Sequence, residues 1–505
     1  MALHIDKGDG TAPRSGWTPL LDERGGGGIS SDMVPVGGSI QVDGGSTPAG
    51  HESATAVRSR WWIVAVYSLM AATQGLQWGI PTVIASEMEG VYGVTGDTLQ
   101  LMLAYGPIFF IVAAVPFSWH MDRYGCRGSV VVATACVAVG AALRCGAGDG
   151  STTSLALLHT SFILNAIAGP VAMAAVGKLS ETWFPPHLRT TATALMAEAN
   201  LFGGTVIYPA ATYIVTDPDP AQMLHLNLMV AAAGGVALVA ALVYFPSHPP
   251  APPSASAAVQ QASESSVSPR MLAAAMRKLA TDTNFLILAL GYGAANGMAS
   301  VFGAMLMPNL TALGVSQMAG GWLGFGSSLV GNLGGIALAR LTDRMRNQRA
   351  VQVVLLTTAA VFLGIFAVVC SGVIPGGFNT SAAGYAIMFL AATIGAAACD
   401  SGVPLFFELA MEVTYPLPEG LVITILTVLN NVAALVALFV PMDEVGTSWI
   451  NWAYAGTLAT VAAVLLLAYR DTSPRYDYDM AALRADKLAD GEDASPPATV
   501  PLLAS

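Results

Sequence analysis

HMDRYGCRGS, residues 120–129, stands between two long apolar runs, and RLTDRMRNQR, residues 340–349, stands between two others. Each places an Asp-Arg pair, at 122–123 and 343–344, in a short charged turn at the same place in its half of the chain. A turn repeated at matching positions marks two related halves around a central cavity, with alternating access produced by rocking one half against the other. Asp122, Arg123, Arg127, Asp343 and Arg344 are therefore candidate gate residues. They also pin their loops on one side of the membrane.

Working outward from these turns, apolar runs occupy 61–86, 98–120, 128–146, 153–178, 190–215, 223–245, 284–308, 317–341, 350–373, 381–403, 418–442 and 448–470. A run of about 20 residues crosses a hydrocarbon layer as helix. The fold class is thus an all-α membrane protein with twelve transmembrane helices in two pseudo-symmetric six-helix halves. The 505 residues are 54% hydrophobic and only 10% charged, too few charges to cover a soluble surface of this size. The bilayer is the first partner.

A Pro/Ser/Ala-rich stretch beginning PSHPPAPPS at Pro246 divides six helices from six. The expected organisation is a disordered tail over 1–57, a first half over 58–245, a linker over 246–280, a second half over 281–473 and a disordered tail over 474–505. Of the 21 Lys and Arg residues, only Arg144 falls on the side opposite the tails. Basic loops are retained in the cytoplasm, so both termini and the linker are expected there. Sequons at Asn309 and Asn379 then lie on the far side as candidate glycan acceptors.

Polar groups at bilayer depth are costly unless they face protein or water, so each is a candidate site residue. Gln74, Gln77 and Trp78 share one face of the first helix, and Tyr292, Asn296 and Ser300 share one face of the seventh. Asn165 in the fourth, Asn200 in the fifth, and Thr427 and Asn431 in the eleventh complete a candidate cavity for a small-molecule substrate. Trp78 offers a wall that can stack on a ring or hold a cation. Interhelical hydrogen bonding is the simpler role for any one of these side chains. Glu198 in the fifth helix and His159 in the fourth are the candidate carriers of a coupling proton. The acids Asp400, Glu408, Glu412 and Glu419 flank the loop after the tenth helix, where they are expected to pair with the basic turns.

Other classes fit poorly. The net charge of −11 disfavours a nucleic-acid partner. Five cysteines without CxxC spacing suggest neither a disulfide framework nor a metal site. No nucleophile–base pair or phosphate loop points to an enzyme, and no cofactor is implied. Gly320, Gly324, Gly331 and Gly335 lie inside the eighth helix and are read as close packing.

The strings VPLFFELAMEVTYPLPEG (403–420), QGLQWGIP (74–81), MDRYGCR (121–127), ETWFPPHLRTTATA (181–194), YFPSHPPAPPS (244–254) and SWINW (448–452) resemble solute carrier family 49, the feline leukaemia virus subgroup C receptor relatives, and most closely its renal-carcinoma branch. The resemblance implies a major facilitator fold and facilitative or proton-linked movement of small organic solutes. It associates the receptor branch with choline, ethanolamine and haem. The renal-carcinoma branch it associates with lysosomal membranes and proton-driven export of pyridoxine. By position, Trp78 matches a cavity tryptophan of the choline-moving relatives. Asn431, Gly169 and Ser300 stand where those relatives have glutamine, glutamine and tyrosine, which sets this cavity apart from theirs. Haem would want a His or Cys ligand, and no His pair lies on the cavity faces.

Overall fold

The computed structural model describes residues 54–184, 186–249, 276–277, 279–342, 348–374, 381–414, 419–440 and 445–470. Residues 1–53 and 471–505, Asp343, Arg344 and Asn379 lie outside the described residues. The first half holds α1 (Ala54–Val83), α2 (Ala85–Tyr92), α3 (Gly96–Tyr124), α4 (Cys126–Cys145), α5 (Thr152–Trp183), α6 (Pro186–Ile214) and α7 (Pro220–Val243). The second holds α8 (Thr283–Ala312), α9 (Gln317–Thr342), α10 (Gln348–Cys370), α11 (Ala382–Ser401), α12 (Val403–Thr414), α13 (Glu419–Leu438) and α14 (Trp449–Leu467). Apart from the short α2 and α12, these are the twelve transmembrane helices. By length and composition alone, eight described stretches clear the requirement for a membrane span, with α11 and α12 counting as one, Ala382–Thr414.

Local chemistry sets the ends. Thr95, Ser151 and Ser381 accept the backbone N–H of Thr98, Ser154 and Gly384, and Asp282 accepts that of Phe285, so α3, α5, α11 and α8 each start on an N-cap. α1 begins at Ala54, inside the stretch read as tail. Two short helices depart from the expected loops. α2 buries Met88, Val91 and Tyr92 at helical spacing and stops at Gly93, whose φ of 62° is the left-handed conformation glycine tolerates. α12 occupies the expected loop after the tenth helix, because Leu405, Phe406, Leu409, Ala410 and Val413 make one buried stripe.

Side-chain bonds identify which helix ends share a face. Trp62 near the start of α1 donates to the Tyr244 carbonyl after α7, Lys178 of α5 to the Met121 carbonyl of α3, and Asn284 of α8 to the Arg470 carbonyl after α14. This is the Asp-Arg face. On the opposite face, Asn309 of α8 meets Asn451 and Thr447 at the start of α14. Asn309 is only 6% exposed and its amide nitrogen is hydrogen-bonded, so it is not available to a glycan in this fold, which corrects the sequence expectation.

Each half is held by one close crossing. A β-carbon at Gly75 or Gly203 would strike the carbonyl of Asn200 or Ala72, so α1 and α6 meet backbone to backbone. The counterpart crossing in the second half is α8 on α13, where a β-carbon at Gly293 would lie 3.0 Å from Leu429 and one at Gly297 2.8 Å from the Asn430 carbonyl. Large apolar residues such as Met229, Val236, Val239 and Val243 of α7 are exposed, as lipid contact requires. Gly203→Leu is expected to destabilise the protein by about 1–3 kcal/mol or more through overpacking. Gly235→Leu, at a site where a β-carbon meets nothing within 4 Å, should be nearly neutral. Thermal unfolding of the purified variants checks both. Asn309→Gln should leave the gel mobility of the expressed protein unchanged after glycosidase treatment and before it.

Candidate functional site

The polar face of α1 divides among four neighbours. Gln74 is buried: its Nε2 donates to the Asn165 carbonyl at 3.3 Å, and Asn165 Nδ2 returns a bond to the Gln74 carbonyl at 3.2 Å. Asn200 Nδ2 donates to Gln74 Oε1 at 2.6 Å and to the Ala71 carbonyl at 2.8 Å. These three amides thus tie α1, α5 and α6 together. Gln77, fully buried, turns away toward α4, donating to the Val137 carbonyl at 3.1 Å. Trp78 is half-buried; Gly106 of α3 makes room for its ring, and Phe162 lies 6.0 Å from it.

In the second half, Asn296 Nδ2 donates to the Tyr292 hydroxyl at 3.2 Å, and Tyr292 is buried against the rings of Phe406 and Phe407. Ser300 is exposed and donates to the Asn296 carbonyl. Asn431 is half-buried and bonded to the Thr427 carbonyl, while the buried Thr427 bonds back to Ile423. Trp78, Asn296, Ser300 and Asn431 are therefore accessible, and Gln74, Gln77, Asn165, Tyr292 and Thr427 are packed.

Of the titratable candidates, His159 Nδ1 shares a hydrogen bond with the Tyr105 hydroxyl at 3.1 Å between α5 and α3. Glu198 is half-buried on α6 and interacts electrostatically with Asp400 of α11, from the other half. Glu198 lies about 18 Å along α6 from its Asp-Arg end, and Asp400 is the last residue but one of α11. Gly331 leaves room for Asp400, since a β-carbon there would lie 2.7 Å from its Oδ2. This departs from the expected pairing of Asp400 with the basic turns, because the residue sits inside the span.

At the Asp-Arg turn, Gly125 at φ 79° breaks the chain between α3 and α4, and His120 Nδ1 bonds Ser129 Oγ across it at 2.8 Å. Arg123 lies over the rings of Trp119 and Tyr124, each 5.8 Å away, and Arg127 is exposed. Lys178 caps the end of α3 here, donating to the Met121 carbonyl at 2.7 Å. The Asp122 side chain lies outside what is described. Glu408 is exposed and Glu412 half-buried on α12.

Residues 67–441 match the family described as Major Facilitator Superfamily. The chain belongs to the major facilitator superfamily. Among curated relatives of this facilitator, the Solute carrier family 49 member 4 homolog of Xenopus tropicalis is 29% identical over 450 residues, covering 86% of this chain and 96% of that one. The Choline/ethanolamine transporter FLVCR1 of Felis catus is 24% identical over 413 residues, covering 80% and 70%. Among solved structures, a partially occluded inward open conformation of the xylose transporter XylE from E. coli aligns with a TM-score of 0.61 at 13% identity, covering 82% of this chain and 99% of that one.

One residue of the facilitator's first half was visible in the sequence only as an exception to the charge rule. Arg144, the lone basic residue opposite the tails, is not a loop residue but is 2% exposed and points inward. Pro81 has no N–H for the Gln77 carbonyl one turn earlier in α1. Arg144 Nη1 fills that vacancy at 3.3 Å, while its Nε donates to Ser161 Oγ at 2.7 Å and its Cζ lies 4.4 Å over Phe162. Hydrogen bonds from a charged group contribute about 1.5–3 kcal/mol, against which guanidinium desolvation counts. Arg144→Leu should therefore lower stability by roughly 2 kcal/mol, with Arg144→Lys intermediate, as measured by thermal unfolding in detergent.

Proposed function

We propose that this facilitator moves a small polar or cationic, ring-containing organic solute, pyridoxine-like in character, by alternating access coupled to protons. On this reading the Asp-Arg face and both termini lie in the cytoplasm, in keeping with the positive-inside distribution of the chain. The observation that carries the proposal is the Glu198–Asp400 pair: two carboxyls from opposite halves, with Asp400 in the field of Glu198 and packed on Gly331. Two facing carboxylates repel, and a proton held by the pair relieves that repulsion. Because the partners belong to different halves, the proton would link ionisation to the rocking motion.

Three further observations support the solute class. Trp78 presents a half-buried ring, and Asn296 and Asn431 present amides from the other half. The opposite face is acidic, with Glu87, Glu89, Asp97, Asp149, Asp217 and Asp219 around it, which favours cations at the entrance. Burial above all, with Asp217 contributing, raises Glu87 above its ordinary value, while Ser151 and Ser154 hold Asp149 below its own.

A second reading follows the printed names of some relatives, namely choline or ethanolamine transport; a third is a receptor that binds solute without moving it. Proteoliposomes with an imposed proton gradient separate them. Gradient-driven pyridoxine uptake is expected in the wild type, and Glu198→Gln or Asp400→Asn should reduce the gradient-driven part at least tenfold while leaving counterflow. Uptake of choline that ignores the gradient would favour the second reading, and binding without counterflow the third. His159→Ala tests the other proton candidate, with Tyr105→Phe as its control.

A further inference from the structure

On the opposite face α3 of the first half packs on α13 of the second, and a side chain of α3 bonds across that contact. Gln100, in the first turn of α3, is 9% exposed. Its Nε2 donates to the Leu438 carbonyl and, at 2.8 Å, to the Val440 carbonyl, both at the end of α13 in the second half. The last carbonyls of a helix have no partner within it. At the end of α13 the Phe439 and Val440 N–H groups bond back to the Leu435 and Ala437 carbonyls, and Gln100 supplies a donor to the carbonyls of Leu438 and Val440. A primary amide has two hydrogens to give, and both go to the partner half.

A second seam closes the same face. Thr212 and Tyr208 of α6 pack on Gly321 and Gly324 of α9, where β-carbons would lie 2.8 Å from Thr212 or collide with the Tyr208 ring. Deeper along it, Asn332 Nδ2 of α9 reaches Thr205 Oγ1 at 3.4 Å. The glycine seam is shape, and the Gln100 contact is a directional bond between half and half.

We propose that Gln100 is the latch of this gate: its amide holds the opposite face shut by capping α13 across the interface, and releases those carbonyls to water each time that face opens. An uncharged latch fits a gate that must let go in every cycle. Two neutral hydrogen bonds lost to water bias the closed state by roughly tenfold, enough to favour it and not enough to trap it. The inference concerns the gate alone and stands whichever solute is carried.

The test reads distance without substrate. Spin-label side chains at Thr153 and Val445, exposed on the opposite face of the first and second halves, report gate opening by pulsed electron resonance in nanodiscs. Gln100→Leu, which keeps bulk and removes both donors, should raise the ratio of long to short distances at least fivefold. Gln100→Glu should do the same near neutrality and return toward the short distance at about pH 4, where a protonated carboxyl can donate again. The wild type should hold the short distance near neutrality, where Gln100→Glu is open. Unchanged distances in both variants would overturn the proposal. So would loss of the folded protein in both, since that assigns Gln100 to folding. A Gln100→Glu that stays open at low pH would also overturn it. Failure of proton-driven pyridoxine uptake would leave these distances unaffected, so the two readings fail separately.

Discussion

Hydrocarbon offers a polar group no partner, so each one inside the span must be satisfied by another part of the bundle. Pro81 shows how far this constraint reaches. It leaves the Gln77 carbonyl without its helical donor, and the remedy is a buried arginine from α4 that also engages Ser161 and Phe162 on α5. One missing N–H thus joins three helices. The same demand draws Gln74, Asn165 and Asn200 into mutual bonds, with Glu198 two residues before Asn200 on α6.

Close glycine crossings give the two halves a common construction. α1 meets α6 at Gly75 and Gly203, and α8 meets α13 at Gly293 and Gly297. In both halves a glycine-rich helix is brought against the helix that carries the neighbouring polar residues. These contacts lie within a half and are dense enough to keep it rigid. Contacts between halves, α3 on α13 and α6 on α9, include the Gln100 amide, the Asn332–Thr205 bond and the close approach of Gly321 and Gly324 to α6 side chains. Rigid bodies with a lightly bonded seam are what a rocking mechanism requires.

The helices were legible in the sequence because length and hydrophobicity are what a membrane selects. Expected and observed ends agree within a few residues for most spans, such as 317–341 against Gln317–Thr342. α12 was not legible as a separate helix. VPLFFELAMEVT continues the apolar character of α11, and only the tight Gly402 bond to the Cys399 carbonyl and the missing N–H of Pro404 set it off. Spacing placed Gln74, Gln77 and Trp78 on one face, but the face spans about 100° and is met by four different helices. Which amide is packed and which is open depends on those neighbours. Asn309 fails as a glycan acceptor for the same reason: the sequon is local, and its burial against Asn451 is not. Asp400 looked like a loop acid because its partner, Glu198, lies 202 positions away and meets it only across the interface.

The carboxyl pair and the α6–α9 seam occupy one helix. Glu198 stands toward the Asp-Arg side of α6, while Thr205, Tyr208 and Thr212, which make the contacts with α9, follow within the next four turns. A helix is stiff over that distance, though Pro209 removes one of its bonds. On the proton-linked reading, a change in repulsion between Glu198 and Asp400 would act on the element that carries the opposite-face seam. Asp400, on α11, in turn sits against Gly331 of α9, so each acid either belongs to or packs on a helix of the seam. On the proton-linked reading, charge at the middle of the bundle and closure at its far face are coupled by adjacency, through α6 on one side and α9 on the other.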